Sequence, residues 1–255
     1  MKLTVIGCSG SLPGPRGPAS CYLVEHDGHR VILDLGSGAL GVLQQHVELP
    51  QLDAVLLTHL HGDHCLDLCG LYVARRYAGL RGAGRLAVFG PHGTAARIGA
   101  AYDAYGDASH DLSREFRFED VAAVTEVGPF SVAVARMAHP VDTFALRLEV
   151  DGRSLVYSGD TGPTSALSEL SRGADLLLAE ASDVDGPDNT KDLHMSGRQA
   201  GRAATEAGVG ALMVTHVPPW NDPLVAVAEA TEEFSGAVTC ATSGTVVEVG
   251  NNDGA

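Results

Sequence analysis

Lysine is nearly missing from this chain: Lys2 and Lys191 are the only two among 255 residues. With 17 basic against 32 acidic residues, the formal net charge is −15. Gripping a nucleic-acid duplex by its phosphates needs clustered Lys and Arg. The one modest basic group, Arg75, Arg76, Arg81 and Arg85, reads as a solvated helix end and loop, so a large RNA partner is disfavoured. Aromatic residues are scarce at 5%, with a single tryptophan, Trp220. No segment approaches the roughly 18 uninterrupted apolar residues of a membrane span. The opening MKLTVIGCSGS carries one lysine and a short apolar run, and reads as a first strand rather than a signal peptide. Cys8, Cys21, Cys65, Cys69 and Cys240 are odd in number and form no CxxC pair. They suggest neither a disulfide framework nor a thiolate zinc site. Cys65 and Cys69, four apart, read as packing residues on one helix face of a reduced, cytoplasmic chain.

What is present is an ordinary globular balance, 45% apolar and 19% charged. Strand-like runs fall at residues 3–6, 22–24, 31–33, 54–57, 86–89, 132–135, 144–150, 155–157, 176–179, 212–214 and 246–249. Helical periodicity marks 66–78, 95–104, 166–172, 196–207 and 224–234. The first half reads as hairpin-rich and the second as alternating strand and helix. No linker or low-complexity tract marks a boundary, so residues 1–255 are expected to form one α/β domain of sheets flanked by helices. Ionisable residues follow five of the strands: Thr58 to His64, Ala138 to Pro140, Ser158 to Asp160, Glu180, and Thr215-His216. Strand ends of this kind form the rim where open α/β sheets place their sites.

The segment THLHGDHCLDL carries the strongest signal. His59, His61, Asp63 and His64 put four potential ligands within six residues at the opening of a helix. Imidazoles plus a carboxylate without thiolate suit zinc, and also manganese or iron. Gly62 stands where a tight turn is expected. His139 and His216 each follow a buried-looking strand and precede proline, and Asp160 sits on the Gly-flanked turn YSGDTG. His26, His29, His46, His92 and His110 show no such setting and receive no role.

Together these pieces resemble the metallo-β-lactamase superfamily along essentially the whole chain. The resemblance implies a four-layer αββα sandwich with two divalent metal ions, zinc in the first place, at the strand-end rim. It implies one metal on His59, His61 and His139, a second on Asp63, His64 and His216, and Asp160 bridging them.

Two ions of this kind serve phosphodiesters, lactams, thioesters and lactones alike, so other residues must choose among them. Asp63 is able both to hold a metal and to orient water. Glu180 in LLLAEAS and His194 in LHMSG read equally, by spacing, as a strand-end cap before a helix capped by Ser196, or as a proton donor with its orienting carboxylate. The chain looks like the RNase Z branch of the superfamily, where a Glu and a His-x-Ser motif assist protonation of the leaving group. The tRNA-processing members carry a long arm between the third-motif histidine and the bridging aspartate. Here only 20 residues separate His139 from Asp160, which argues for a small substrate. VIGCSGSLPGP, PASCYLVE, LDLGSGALGVLQ, HGDHCLDLCGLYVARRY, YSGDTG, DLHMSG and THVPPW are similar to short actinobacterial enzymes described as atypical cyclic-nucleotide phosphodiesterases. That similarity implies hydrolysis of 3′,5′-cyclic AMP to 5′-AMP by a hydroxide between the metals. His194, oriented by Glu180, would protonate the leaving oxygen. An RNase Z-like ribonuclease, or an ester, thioester or lactone hydrolase of secondary metabolism, is the alternative on the same metals. Related enzymes suggest a homodimer. The loop 7–15 is either a wall for the nucleotide or a plain chain reversal, and Trp220 either stacks on a base or packs at a proline corner.

Overall fold

The computed structural model describes residues 1–78, 84–103, 111–187, 189–190 and 192–250. In chain order the strands are β1 (Lys2–Gly7), β2 (Cys21–His26), β3 (His29–Leu33), β4 (Ala54–Leu56), β5 (Leu86–Gly90), β6 (Phe116–Asp120), β7 (Glu126–Val127), β8 (Phe130–Arg136), β9 (Phe144–Val150), β10 (Arg153–Tyr157), β11 (Leu176–Glu180), β12 (Ala211–Thr215), β13 (Ala237–Cys240) and β14 (Val246–Glu248). The helices are α1 (Ala39–Leu43), α2 (Gly62–Cys65), α3 (Leu68–Tyr77), α4 (Thr94–Tyr102), α5 (Ser165–Leu170), α6 (Gly197–Ala207) and α7 (Pro223–Glu233).

Two seven-stranded sheets form, ordered β14-β1-β2-β3-β4-β5-β6 and β13-β12-β11-β10-β9-β8-β7. Each changes character partway across. In the first, β14, β1, β2 and β3 pair antiparallel, whereas β3 to β6 run parallel. In the second, β7 to β10 are antiparallel and β10 to β13 parallel. The first half is therefore less hairpin-rich than its sequence suggested, because β3 to β6 are joined by helical crossovers. Parallel strands align their carboxyl ends on one edge, and the loops leaving that edge meet there.

The sheets face one another across a core that includes Leu3, Val5, Leu33 and Leu56 from one and Phe130, Leu146, Leu155 and Leu178 from the other. The outer face of the first sheet is covered by Leu43 of α1, Leu71 and Tyr72 of α3 and Ile98 of α4. That of the second is covered by Leu167 of α5, Ala200 and Ala204 of α6, and Ala226 and Ala230 of α7. The result is the expected αββα layering, with an apolar core between each pair of layers. Parallel strands buried on both faces explain runs such as LLLA and ALMV, which show no alternation.

Several local readings change. The helix expected over 66–78 forms as α3 (Leu68–Tyr77), but α2 (Gly62–Cys65) is a separate short helix before it. Between the two, Asp67 N donates to the Leu35 carbonyl (3.1 Å) and the Asp67 carboxylate accepts from Leu40 N (2.8 Å). Cys65 and Cys69 consequently lie on different helices. Arg75 is not a solvated helix end: it is buried, with its guanidinium on the Gly84 carbonyl, while Arg81 lies outside the described residues. The elements unseen in sequence are the five-residue α1 and the strands β6, β7 and β13, which are short or polar and lie at sheet edges. Before α6, Ser196 forms the expected cap and more: its hydroxyl accepts from Gln199 N (3.3 Å), and the Gln199 side chain accepts from Ser196 N (2.9 Å). Such a box contributes about 1 kcal/mol and fixes the chain just after His194.

Candidate metal centre

Directly after strand β3 comes Asp34, a residue with no assigned role in the sequence, whose wholly buried carboxylate organises the site. It accepts from Thr58 N (2.7 Å), Thr58 Oγ1 (2.8 Å), Tyr157 Oη (2.8 Å) and His64 Nδ1 (2.7 Å). The end of β3, the loop after β4 and strand β10 of the opposite sheet are thus tied to one group. Its backbone sits at φ 56, in the left-handed region, where Asp is among the more tolerant residues. Gly36 then lets the ligand loop close in, since a Cβ there would lie 1.9 Å from the Asp63 carbonyl oxygen. Gly62, by contrast, needs no left-handed turn; it opens α2, and a Cβ there would crowd Leu66.

Seven sequence-picked residues converge at the strand ends in two groups that share Asp160. In one, His61 Nδ1 lies 3.1 Å from His59 Nε2 and 3.4 Å from His139 Nε2, and His59 Nε2 lies 3.5 Å from Asp160 Oδ2. In the other, His216 Nε2 is 3.1 Å from both His64 Nε2 and Asp63 Oδ2 and 3.4 Å from Asp160 Oδ1. His64 Nε2 is 3.2 Å from that same Asp160 oxygen.

Four of these imidazoles are held by the nitrogen that faces away. His59 Nδ1 donates to Thr58 Oγ1 (3.0 Å), His139 Nδ1 to the Leu193 carbonyl (2.9 Å), His64 Nδ1 to Asp34, and His216 Nδ1 to Ser182 Oγ (2.8 Å). Such outer bonds fix tautomer and ring orientation at metal sites. His216 itself sits at φ 56, and Ser182 Oγ also donates to its carbonyl (2.8 Å). Asp160 Oδ1 is buried without a hydrogen-bond partner. An orphaned carboxylate oxygen, facing nitrogens and a donor set free of thiolate all fit a divalent cation.

The charges agree. Burial pushes His59, His61 and His139 below the usual histidine range, so all three offer neutral nitrogens. Burial opposes ionisation of Asp63 and Asp160 as well. The facing imidazoles outweigh it and hold both carboxyls below their ordinary range. Burial likewise opposes charge on His64, but Asp160 and Asp34 overcome it and raise its pKa. The positive charge drawn onto His64 is the kind a bound cation would supply.

Beside both groups stands a third pair. His194 Nδ1 lies 2.9 Å from Glu180 Oε1, and its ring centroid is 5.6 Å from that of His139 and 5.7 Å from that of His216. Glu180 is fully buried at the end of β11 and also accepts from Thr161 N (2.7 Å), Ser182 N (3.2 Å) and Met195 N (3.2 Å). Its carboxylate is immobilised by four donors, more than a strand-end cap requires. Burial works against charge on His194; the hydrogen bond and charge of Glu180 outweigh it and raise the pKa to about 9.

Other expectations resolve individually. The 7–15 loop borders the centre, with Ser11 N 3.5 Å from His216 Nε2 and Gly10 N donating to Val217 O (3.2 Å). Trp220 does not pack at its proline corner, for it is 66% exposed. His26 is largely buried, 2.9 Å from the exposed Asp151 carboxylate, and His110 lies outside the described residues. Between His139 and Asp160 the chain runs as the β9–β10 hairpin, turned by Asp151-Gly152 with both residues at positive φ. No helix among the described residues is long and apolar enough to cross a membrane.

Residues 29–217 match the family model described as the beta-lactamase superfamily domain. The chain belongs to that family. It is similar to the Mycobacterium leprae protein ML1173, at 44% identity over 98% of this chain and 89% of that one. It is 32% identical to the probable metallo-hydrolase YhfI of Bacillus subtilis over 97% of this chain and all of the other. The crystal structure of YhfI superposes with a TM-score of 0.83 over 96% of this chain and 98% of YhfI, at 30% identity. Ribonuclease Z of Mycobacterium bovis is 30% identical over 99% of this chain and 96% of its own. This member of the beta-lactamase superfamily is thus a metallo-hydrolase of the RNase Z-like branch, with His and Asp side chains able to bind metal.

Proposed function

We propose that the chain is a single-domain, cytoplasmic phosphodiesterase that hydrolyses a small nucleotide phosphodiester, 3′,5′-cyclic AMP to 5′-AMP, with two divalent ions, zinc in the first place. The observation that carries this reading is the His194–Glu180 pair beside both ligand groups. Expelling an alkoxide from phosphorus needs a proton donor, and a histidine kept charged by an immobilised carboxylate is one at neutral pH. His59, His61 and His139 would hold one ion; Asp63, His64 and His216 would hold the other, with Asp160 shared. The ions would supply activation of water and neutralisation of charge on the phosphate oxygens.

The chain's own residues do the rest. Asp63 orients the attacking water. Glu180 fixes the His194 ring through Nδ1, which leaves Nε2 to deliver the proton to the departing oxygen. The short His139–Asp160 hairpin and the net charge of −15 support a small substrate over tRNA. Arg75, the centre of the modest basic group, is buried away from solvent.

A substrate panel with zinc or manganese tests this: cyclic AMP, bis(p-nitrophenyl) phosphate, a tRNA precursor and lactones. Turnover of the first two is expected. Turnover of a lactone alone, or of the tRNA precursor alone, would replace the phosphodiesterase reading with one of its rivals.

A further inference from the structure

We propose that the cavity beside His194 seats the leaving sugar and that Asp192 reads its 2′-hydroxyl, an inference that rests on the phosphodiesterase reading. The cavity has a volume of about 300 Å³ and is lined by Pro163, Asn189, Thr190, Asp192, His194 and Gln199. It therefore opens on the proton-donating residue, where the leaving oxygen must sit. Among the described residues its lining holds a carboxylate, two side-chain amides and a hydroxyl, and apart from His194 no cation. Such a lining offers both donors and acceptors to a neutral polyol, with one carboxylate to accept from a hydroxyl. A leaving ribose suits it.

Asp192 is an exposed turn residue whose backbone is fixed against the centre. Its backbone sits at φ 58, a left-handed conformation that few residues besides Gly, Asn and Asp adopt and that persists where the surroundings enforce it. They do so here. A Cβ on Gly162, two residues past Asp160, would lie 2.7 Å from Asp192 Cα, so the two backbones are packed against each other. The next three residues are anchored in turn: Leu193 by its carbonyl on His139, His194 by Glu180, and Met195 by its N–H on Glu180. The turn places a carboxylate two residues before the proton donor, on the wall of the same cavity. In cyclic AMP the 3′-oxygen that leaves and the free 2′-hydroxyl are on adjacent carbons. A group that delivers a proton to one has its neighbour in position to accept from the other. Carboxylates recognise ribose hydroxyls in this way at dinucleotide sites.

The test compares kcat/KM for 3′,5′-cyclic AMP and its 2′-deoxy analogue in the metal-loaded enzyme. A hydrogen bond to a charged acceptor predicts about a ten- to hundredfold preference for the ribonucleotide in the wild type. In Asp192→Gly, whose backbone is at ease at φ 58, the ratio should fall to about one. Asp192→Asn, which keeps an acceptor oxygen and tolerates the conformation, should give an intermediate ratio. A wild-type ratio near one, or a preference that survives in Asp192→Gly, overturns the role of Asp192 and leaves the phosphodiesterase reading standing. If the wild type turns over neither nucleotide, both fall together.

Discussion

The two ligand groups are made of similar side chains but are held differently. Asp63, His64 and His216 lie in an enclosed setting, where His64 leans on the buried Asp34 carboxylate and His216 on the buried Ser182 hydroxyl. In the other group only His59 is fully buried. His139 rests on a backbone carbonyl, and the half-buried His61 has no outer partner among the described residues. Outer hydrogen bonds and exclusion of water strengthen a metal site, so on the proposed two-ion reading the enclosed group would hold its ion more tightly than the open one. The Glu180–His194 pair touches both groups and belongs to neither by its bonding.

That contrast can be broken by removing His194. Turnover of cyclic AMP by His194→Ala should fall by about 10²–10⁴-fold, with both metals still present by elemental analysis. Bis(p-nitrophenyl) phosphate, whose leaving group departs without a proton, should lose far less. Loss of an ion would instead make His194 a ligand and dissolve the distinction. Asp34→Asn strikes the enclosed group directly through His64 and the open one only through Thr58 and His59. The enclosed group's ion should bind about 10–100-fold more weakly, with a smaller loss at the other in competition with a chelator. In the wild type the same competition should resolve two steps, the weaker belonging to the open group and abolished by His61→Ala. The smallest effect is electrostatic. Because Glu180 raises the His194 pKa to about 9, the acid form persists up to that pH and is lost above it. In Glu180→Gln the ring loses its counter-charge, and the alkaline limb of kcat should move to lower pH. A limb that stays in place would assign the titration to another group.

Much of the site was legible because metal binding concentrates unusual residues. THLHGDHC is conspicuous in any sequence, and His139, Asp160 and His216 each stood just past an apolar run. The same rule applied to residues 31–33 would have found Asp34, which follows them directly, but an aspartate two residues before the Gly36-Ser37-Gly38 stretch also reads as an ordinary turn. Ser182 and Thr58 were invisible for a related reason: hydroxyls abound, and only their partners give them meaning. The edge strands β6, β7 and β13 escaped because a strand covered on one side needs little apolar sequence.

By itself the chain's order of residues determined the donor types, their grouping after strand ends, and the short interval that leaves no room for an arm. These are local properties, written in composition and spacing. Tertiary structure decided which nitrogen of each histidine faces inward, that Asp160 reaches both groups, that Glu180 is immobilised beneath His194, and that Asp192 is pressed into the wall beside it. Those facts depend on contacts between residues as far apart as Asp63 and His216, which only the packing of two sheets face to face brings within hydrogen-bond distance.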